Sequence, residues 1–164
     1  MRTLLRDLYF QTLQGLAPLA TYNQDNHGCD WGTKNDNRSG FFLPELTREA
    51  LFQAMFERRS FATTDKNATI VMMAQGECWM GSILRGATYL NLRVTASDPD
   101  PDDAFLAIEF YGPQKTLLST FDCAGTNPCV AELSVPVIGS TDVVARATMQ
   151  DGGSLVAAPI WASP

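Results

Sequence analysis

The strongest constraint on the fold is a series of short runs in the second half of the chain, many of which alternate apolar and polar residues. Successive side chains of a β-strand point to opposite faces, so this alternation predicts strands that bury one face. Turn-forming Gly, Pro and Asp separate the runs and predict an immunoglobulin-like β-sandwich. The runs are Ile70-Val71-Met72, Leu90/Leu92/Val94, Leu106/Ile108/Phe110, Ala131/Leu133/Val135, Val143/Ala145/Ala147 and Val156-Ala157-Ala158.

The beginning of the chain has a helical spacing instead. Apolar residues in the range 3–14 recur at intervals of three and four, which predicts an amphipathic helix that Gly15 would end. Leu16–Tyr22 then resembles a short buried strand. The predicted fold class is therefore α+β, with a short α/β part over residues 1–65 and the β-sandwich over residues 66–164.

A second helix is predicted after Thr47, whose side chain can accept a hydrogen bond from an exposed helix amide. Glu49 falls in its first turn, and Arg58 and Arg59 are expected in its last turn, so the charges at both ends suit the helix dipole. The two arginines could instead reach a substrate anion, although basic residues at helix ends are usually solvated.

Composition and charge limit the classes of function. The chain has 164 residues, of which 45% are hydrophobic, so it is long enough to bury a core of its own. Its formal net charge of −6 argues against nonspecific nucleic-acid binding, which needs Lys and Arg to neutralise phosphates. We expect no membrane partner either, because no apolar run approaches the roughly 18 to 20 residues that a spanning helix requires.

The segment Asn23–Gly32 contains the only histidine of the chain, His27, two residues after Asp25. On an extended backbone both side chains would point to the same side and could bind one metal ion together. Cys29 could be a third ligand if the backbone stays extended beyond Gly28. The alternative is that His27 is simply a polar loop residue.

This segment also resembles a known motif. Asn23-Gln24-Asp25-Asn26-His27, Trp31-Gly32 and Asn37-Arg38-Ser39-Gly40 are similar to the last metal-binding motif of the PHP-type metallohydrolases, in the CehA/McbA-like branch. The resemblance covers nearly the whole chain. It continues through Leu46-Thr47-Arg48-Glu49-Ala50-Leu51, Arg58-Arg59-Ser60-Phe61-Ala62-Thr63-Thr64-Asp65, Trp79-Met80-Gly81-Ser82 and Ala158-Pro159-Ile160-Trp161.

The resemblance implies that residues 1–65 are the end of a PHP catalytic domain and that a β-rich domain follows. It implies metal-dependent hydrolysis of a small-molecule phosphoester, with zinc or manganese as the metal and Asp25 and His27 as the surviving catalytic ligands. It does not extend to Cys29. The earlier motifs of the family are missing, so the chain is expected to be the C-terminal part of a larger enzyme. Arg6 and Asp7 interrupt the first apolar stretch, so no signal peptide is expected, and the localisation of the parent protein is left open.

Two functions follow from these observations. In the first, two subunits form a homodimer that pools Asp25 and His27, and the metal activates a water molecule. Leu4, Leu8, Phe52 and Phe56 are the apolar residues expected at the dimer contact. In the second, the chain is a non-catalytic β-sandwich module that binds a partner or serves a structural role.

Three further features leave alternatives open. Cys123 and Cys129 bracket a turn-rich segment and could form a disulfide across a hairpin, or remain two thiols at strand ends. Cys78 is expected to be a small buried apolar residue. The acidic run Asp98–Asp103 could attract calcium through its carboxylate oxygens, or be a solvated acidic turn.

Overall fold

The computed structural model describes residues 18–164. Within them the chain forms one α-helix, one short 3₁₀-helix and twelve β-strands. The predicted helix over residues 3–14, its end at Gly15 and the proposed contact residues Leu4 and Leu8 lie outside the described residues. The strands are β1 (Arg38–Phe41), β2 (Ser60–Thr63), β3 (Thr69–Ala74), β4 (Cys78–Trp79), β5 (Ile83–Arg85), β6 (Tyr89–Ser97), β7 (Phe105–Tyr111), β8 (Leu117–Thr126), β9 (Cys129–Pro136), β10 (Thr141–Met149), β11 (Ser154–Ala157) and β12 (Ile160–Ser163).

The strands form two sheets. The smaller sheet has the order β4-β3-β6-β9. The larger sheet has the order β1-β2-β11-β10-β12-β5, and β7 joins it by pairing with β10 on one side and β8 on the other. All the pairings are antiparallel except that of β5 with β12. The protein is therefore a β-sandwich, as the alternating runs predicted.

The core lies between the two sheets. Alternate residues of β3 and β6 are buried, which is the pattern of strands that cover a core with one face and meet solvent with the other. β2 and β11 are buried along their whole length, so both of their faces are covered. The largest fully buried side chains are Phe105, Phe110, Ile70, Met72, Met80, Leu90, Ile108, Met149, Leu155, Ile160, Val94 and Val143.

The α-helix, α1 (Arg48–Phe56), begins as predicted but ends earlier. The Thr47 side chain accepts a hydrogen bond from the Ala50 N–H at 3.2 Å. Arg58, however, follows the helix in a left-handed conformation with φ of 58°. The Arg58 and Arg59 amides bond back to the carbonyls of Met55 and Ala54 and so satisfy the helix end. The prediction that both arginines lie in the last turn was therefore wrong.

The predicted strand Leu16–Tyr22 is also wrong over its described part, because residues 18–22 are not in a strand. The backbone of Tyr22 bonds to a side chain instead of a neighbouring strand. Its N–H donates to Ser39 Oγ at 2.8 Å, and the same hydroxyl donates to its carbonyl at 2.8 Å. Ala20 is nonetheless buried in the core, so this segment packs on the sandwich without joining a sheet.

The N-terminal elements hydrogen-bond into the sandwich. β1 pairs with β2, and β2 pairs with β11, so residues on both sides of position 65 share one sheet. The division at residue 65 is not visible in this pairing and stays a prediction. Among residues 18–164, no helix is long and apolar enough to cross a membrane.

Candidate functional site

The first candidate site is the loop that carries Asp25 and His27. The two side chains do meet, with Asp25 Oδ1 3.4 Å from His27 Nε2. Asp25 has a φ of 46°, so a turn rather than an extended backbone brings them together. Both side chains face solvent, at 92% and 90% exposure respectively. An exposed contact of this kind contributes little free energy to folding.

Polar side chains hold this loop in place. Arg38 donates from Nη1 to the carbonyls of Asn35 and Asn37, at 2.9 and 2.8 Å, and from Nη2 to the carbonyl of Gly32 at 2.9 Å. Gln24 Oε1 accepts from the Gly32 N–H at 2.7 Å, which joins the two ends of the segment. Since Arg38 begins β1, the loop is anchored to the edge of the larger sheet.

Cys29 is a free, exposed thiol on the same loop. Asp25, His27, Trp31 and the three residues Asn23, Gln24 and Asn26 line an open cleft there, and Cys29 is not among its lining residues. A catalytic zinc site usually supplies three protein ligands. Within residues 18–164, three potential metal ligands bring their donor atoms together at one place only, and that place is not this loop.

That group is the acidic cluster, which consists of Asp65, Asp98 and Asp103. One carboxylate oxygen from each residue lies within 4.8 Å of those of the other two. Asp65 belongs to the turn between β2 and β3, whereas Asp98 and Asp103 belong to the loop between β6 and β7. Two separate connections therefore meet at one end of the sandwich.

Local hydrogen bonds fix the carboxylates of Asp65 and Asp98. Asp65 Oδ1 accepts from the N–H groups of Asn67 and Ala68, at 2.8 and 2.9 Å. Asp98 Oδ1 accepts from the Asp100 N–H at 2.7 Å. The Asn127 amide donates to the Asp98 carbonyl at 2.9 Å, and Asn127 Oδ1 accepts from the Asp98 N–H at 3.1 Å. Asn127 thereby ties the turn between β8 and β9 to the same loop.

The electrostatics of this end are unfavourable for so many negative charges. Burial raises the pKa of Asp98, the hydrogen bond from the Asp100 N–H offsets part of this rise, and the charges of Asp65, Asp103 and Asp100 add to it. The pKa of Asp103 is raised by desolvation and then by the charges of Asp65, Asp151 and Asp100. Lys66 Nζ offsets some of this charge from 3.6 Å beside Asp100 Oδ2.

A third feature is the apolar side of α1. Ala54 is the buried residue of this helix, whereas Phe52 and Phe56 are 56% and 83% exposed. They lie four residues apart, so they are neighbours on one side of the helix. Leu46, just before the helix, is 95% exposed.

The sequence identified part of this arrangement. The acidic run Asp98–Asp103 was recognised as a possible cation site, but Asp65 was missed. Asp65 is followed by Lys66 and Asn67 in a turn, and that composition is equally typical of an ordinary loop.

The disulfide between Cys123 and Cys129 is present, with the two Cα atoms 5.6 Å apart. Cys123 lies on β8 and Cys129 on β9, and these strands belong to different sheets. The disulfide therefore joins the two sheets rather than the two strands of a hairpin. Cys78 is a free thiol and only partly buried.

Comparisons with known proteins give little more. No family model and no curated protein matches this sequence. The fold is similar to a structure of Clostridium thermocellum CbhA fibronectin(III)-like modules, with 20% identity over 56% of this chain and 93% of that chain and a TM-score of 0.37. It is also similar to an engineered protein, with 19% identity over 58% of this chain and 20% of that chain and a TM-score of 0.37. These scores are too low to support an argument about function, and the β-sandwich rests on the strand pairing of the chain itself.

Proposed function

We propose that this chain is a non-catalytic β-sandwich module that associates with a second copy of itself. The observation that carries the proposal is the apolar side of α1, where Phe52 and Phe56 are exposed next to each other. Exposed apolar groups of this kind are favoured at contacts because association removes them from water. The helix is therefore the contact surface, and a twofold axis beside it would pair the two phenylalanines with their copies.

The geometry of the sandwich supports this function better than catalysis. Its core is filled by side chains from both sheets, and its connections are short. Asp25 and His27 are both exposed on a polar loop. Two ligands are fewer than a catalytic zinc site needs, so we derive no hydrolytic step from them.

A second function is favoured by one observation. Asp25 and His27 lie 3.4 Å apart, and this contact supports a metal site of the kind that the resemblance to the PHP-type metallohydrolases implies. In that proposal residues 1–65 are the remnant of the catalytic domain, and a second subunit supplies further ligands for zinc or manganese. Cys29, a free thiol two residues after His27, is the further candidate ligand.

Static light scattering at micromolar concentration tests the first proposal. We expect a dimer mass for the wild type and a monomer mass for the double variant Phe52→Ser/Phe56→Ser. Ile138→Ser is the matched control, because Ile138 is 90% exposed and belongs to the connection between β9 and β10 rather than to α1. A monomeric wild type would contradict the proposed association, and so would a dimeric double variant.

A hydrolysis assay on an aryl phosphoester, with zinc or manganese added, separates the two functions. We expect the wild type and His27→Ala to give the same background rate and the same metal content. A wild-type rate that is lost together with bound metal in His27→Ala would establish the second function instead.

A further inference from the structure

We propose that Asp65, Asp98 and Asp103 bind a calcium ion that links two loops at one end of the sandwich. The three donor oxygens already lie within 4.8 Å of one another. An ion at the centre of a triangle with sides of this length would lie about 2.8 Å from each oxygen, so an inward shift of a few tenths of an ångström brings all three into the calcium–oxygen range of about 2.3 to 2.6 Å. None of the three residues belongs to α1 or to the loop that carries His27.

The buried state of Asp98 is the second observation that points to a cation. Asp98 is only 8% exposed, and its Oδ2 has no hydrogen-bond partner among the described residues. A buried carboxylate oxygen without a donor is costly, because it has lost its hydration and gained nothing in return. The other oxygen, Oδ1, is held by the Asp100 N–H, which fixes the orientation of the carboxylate. A cation bound to the Asp98 carboxylate in the acidic cluster would offset this cost.

The chemistry of the donors selects the class of ion. All three are carboxylates, and neither histidine nor cysteine belongs to the group. Oxygen-only donors favour hard cations such as Ca²⁺ and Mg²⁺ over zinc. Mg²⁺ requires bonds of about 2.0 to 2.1 Å and near-ideal octahedral geometry, whereas Ca²⁺ accepts longer bonds and irregular arrangements. The three carboxylates come from two loops of unequal length, and such an irregular arrangement suits calcium better than magnesium.

Neighbouring groups add to the negative potential. Asp100 and Asp151 both contribute charge at Asp103, and Lys66 partly opposes it from its position beside Asp100. Asn67 holds another buried oxygen, Oδ1, without a hydrogen-bond partner in the described part of the chain. The charge balance of this end thus favours the uptake of a divalent cation.

Bound calcium would stiffen three connections together. The ion joins the turn after β2 to the loop after β6, and Asn127 extends the link to the turn between β8 and β9. With three protein carboxylates and water as the remaining ligands, we expect a dissociation constant near that of extracellular calcium modules, about 10⁻⁴ to 10⁻³ M.

Thermal unfolding and isothermal calorimetry of the full chain, with CaCl₂ as the probe, test the site. We expect calcium at several times the dissociation constant to raise the Tm of the wild type by several degrees, and a chelator to reverse the rise. Asp98→Asn should abolish both the heat of binding and the rise in Tm. Its amide oxygen can still accept from the Asp100 N–H, so the variant should fold. Asp103→Asn is a second variant, at a less buried position, and should weaken binding at least tenfold.

Asp102→Asn is the matched control, because Asp102 is an exposed carboxylate of the same loop outside the acidic cluster. It removes the same charge and should keep the calcium response, as should His27→Ala. The proposal is overturned if the wild type shows no calcium response, or if Asp98→Asn and Asp103→Asn respond as the wild type does. An equal response to Mg²⁺ would overturn the assignment to calcium.

Discussion

Asp142 on β10 lies directly opposite Trp161 on β12, and each buries a polar atom that has no hydrogen-bond partner among the described residues. The atoms are Asp142 Oδ2 and Trp161 Nε1. Directly opposed residues of an antiparallel pair project from the same face of the sheet. Asp142 is only 6% exposed, and this burial raises its pKa to about 6.

The stability of the protein should therefore fall between about pH 4 and pH 6. The folded state holds the proton of Asp142 more tightly than the unfolded state, whose pKa is about 3.9. Protonated Asp142 therefore adds to the free energy of unfolding below the unfolded-state pKa. This added stability is lost as the pH rises through the folded-state pKa of about 6. A shift of this size corresponds to about 3 kcal/mol. Urea unfolding at a series of pH values measures it.

Asp142→Asn should remove this dependence. The amide carries no charge to desolvate, so we expect the variant to be more stable than the wild type at pH 7.5 by about 1 to 3 kcal/mol. Below pH 4 the two proteins should differ much less. A variant with the same pH profile as the wild type would show that another group causes the slope.

Gly81→Ala should destabilise the protein by about 3 kcal/mol or more. Gly81 has a φ of 90°, and an added Cβ would lie 2.6 Å from the carbonyl oxygen of Arg58. Gly86→Ala is the matched control, because Gly86 has a φ of 71° but open space around it. The control should cost only about 1 kcal/mol, which is the backbone strain alone. Chemical denaturation of both variants separates the close approach from the conformational effect.

Replacing Cys123 and Cys129 with alanine should lower the free energy of unfolding by about 2 kcal/mol. The disulfide closes a short loop, with a sequence separation of 6, and its entropic effect on the unfolded chain is correspondingly small. Thermal unfolding with and without a reductant gives a second measurement, since reduction should lower the Tm of the wild type only. An unchanged Tm in the double variant would mean that the bond adds no stability.

Arg38→Met should loosen the loop that carries His27 without unfolding the sandwich. It removes the guanidinium that donates to the carbonyls of Gly32, Asn35 and Asn37. Hydrogen–deuterium exchange should accelerate in residues 24–37 and stay unchanged in β6 and β10. Arg85→Met is the control, because Arg85 is exposed at the end of β5, away from this loop. Faster exchange throughout the core of Arg38→Met would contradict a purely local role.

The sequence predicted the strands whose burial alternates. β3 and β6 show this pattern in full, because each has one face on the core and one in solvent. It could not predict β2, whose residues are all buried and show no alternation, and it indicated β11 only through the apolar run Val156-Ala157-Ala158. Nor could it predict β8, an edge strand that leaves most of its residues exposed. Whether a strand alternates apolar and polar residues depends on whether one face, both faces or neither is buried. Only the arrangement of the sheets decides this.

The same limit applies to the candidate sites. The sequence predicted that Asp25 and His27 lie close together, because two residues separated by one position are neighbours whatever the fold. It also identified the run that contains Asp98 and Asp103. Asp65 joins them only because the turn after β2 and the loop after β6 end at the same edge of the sandwich. Composition and periodicity thus determined the β-rich class and the individual loops, whereas the tertiary structure decided which loops meet and which carboxylate is buried there without a partner.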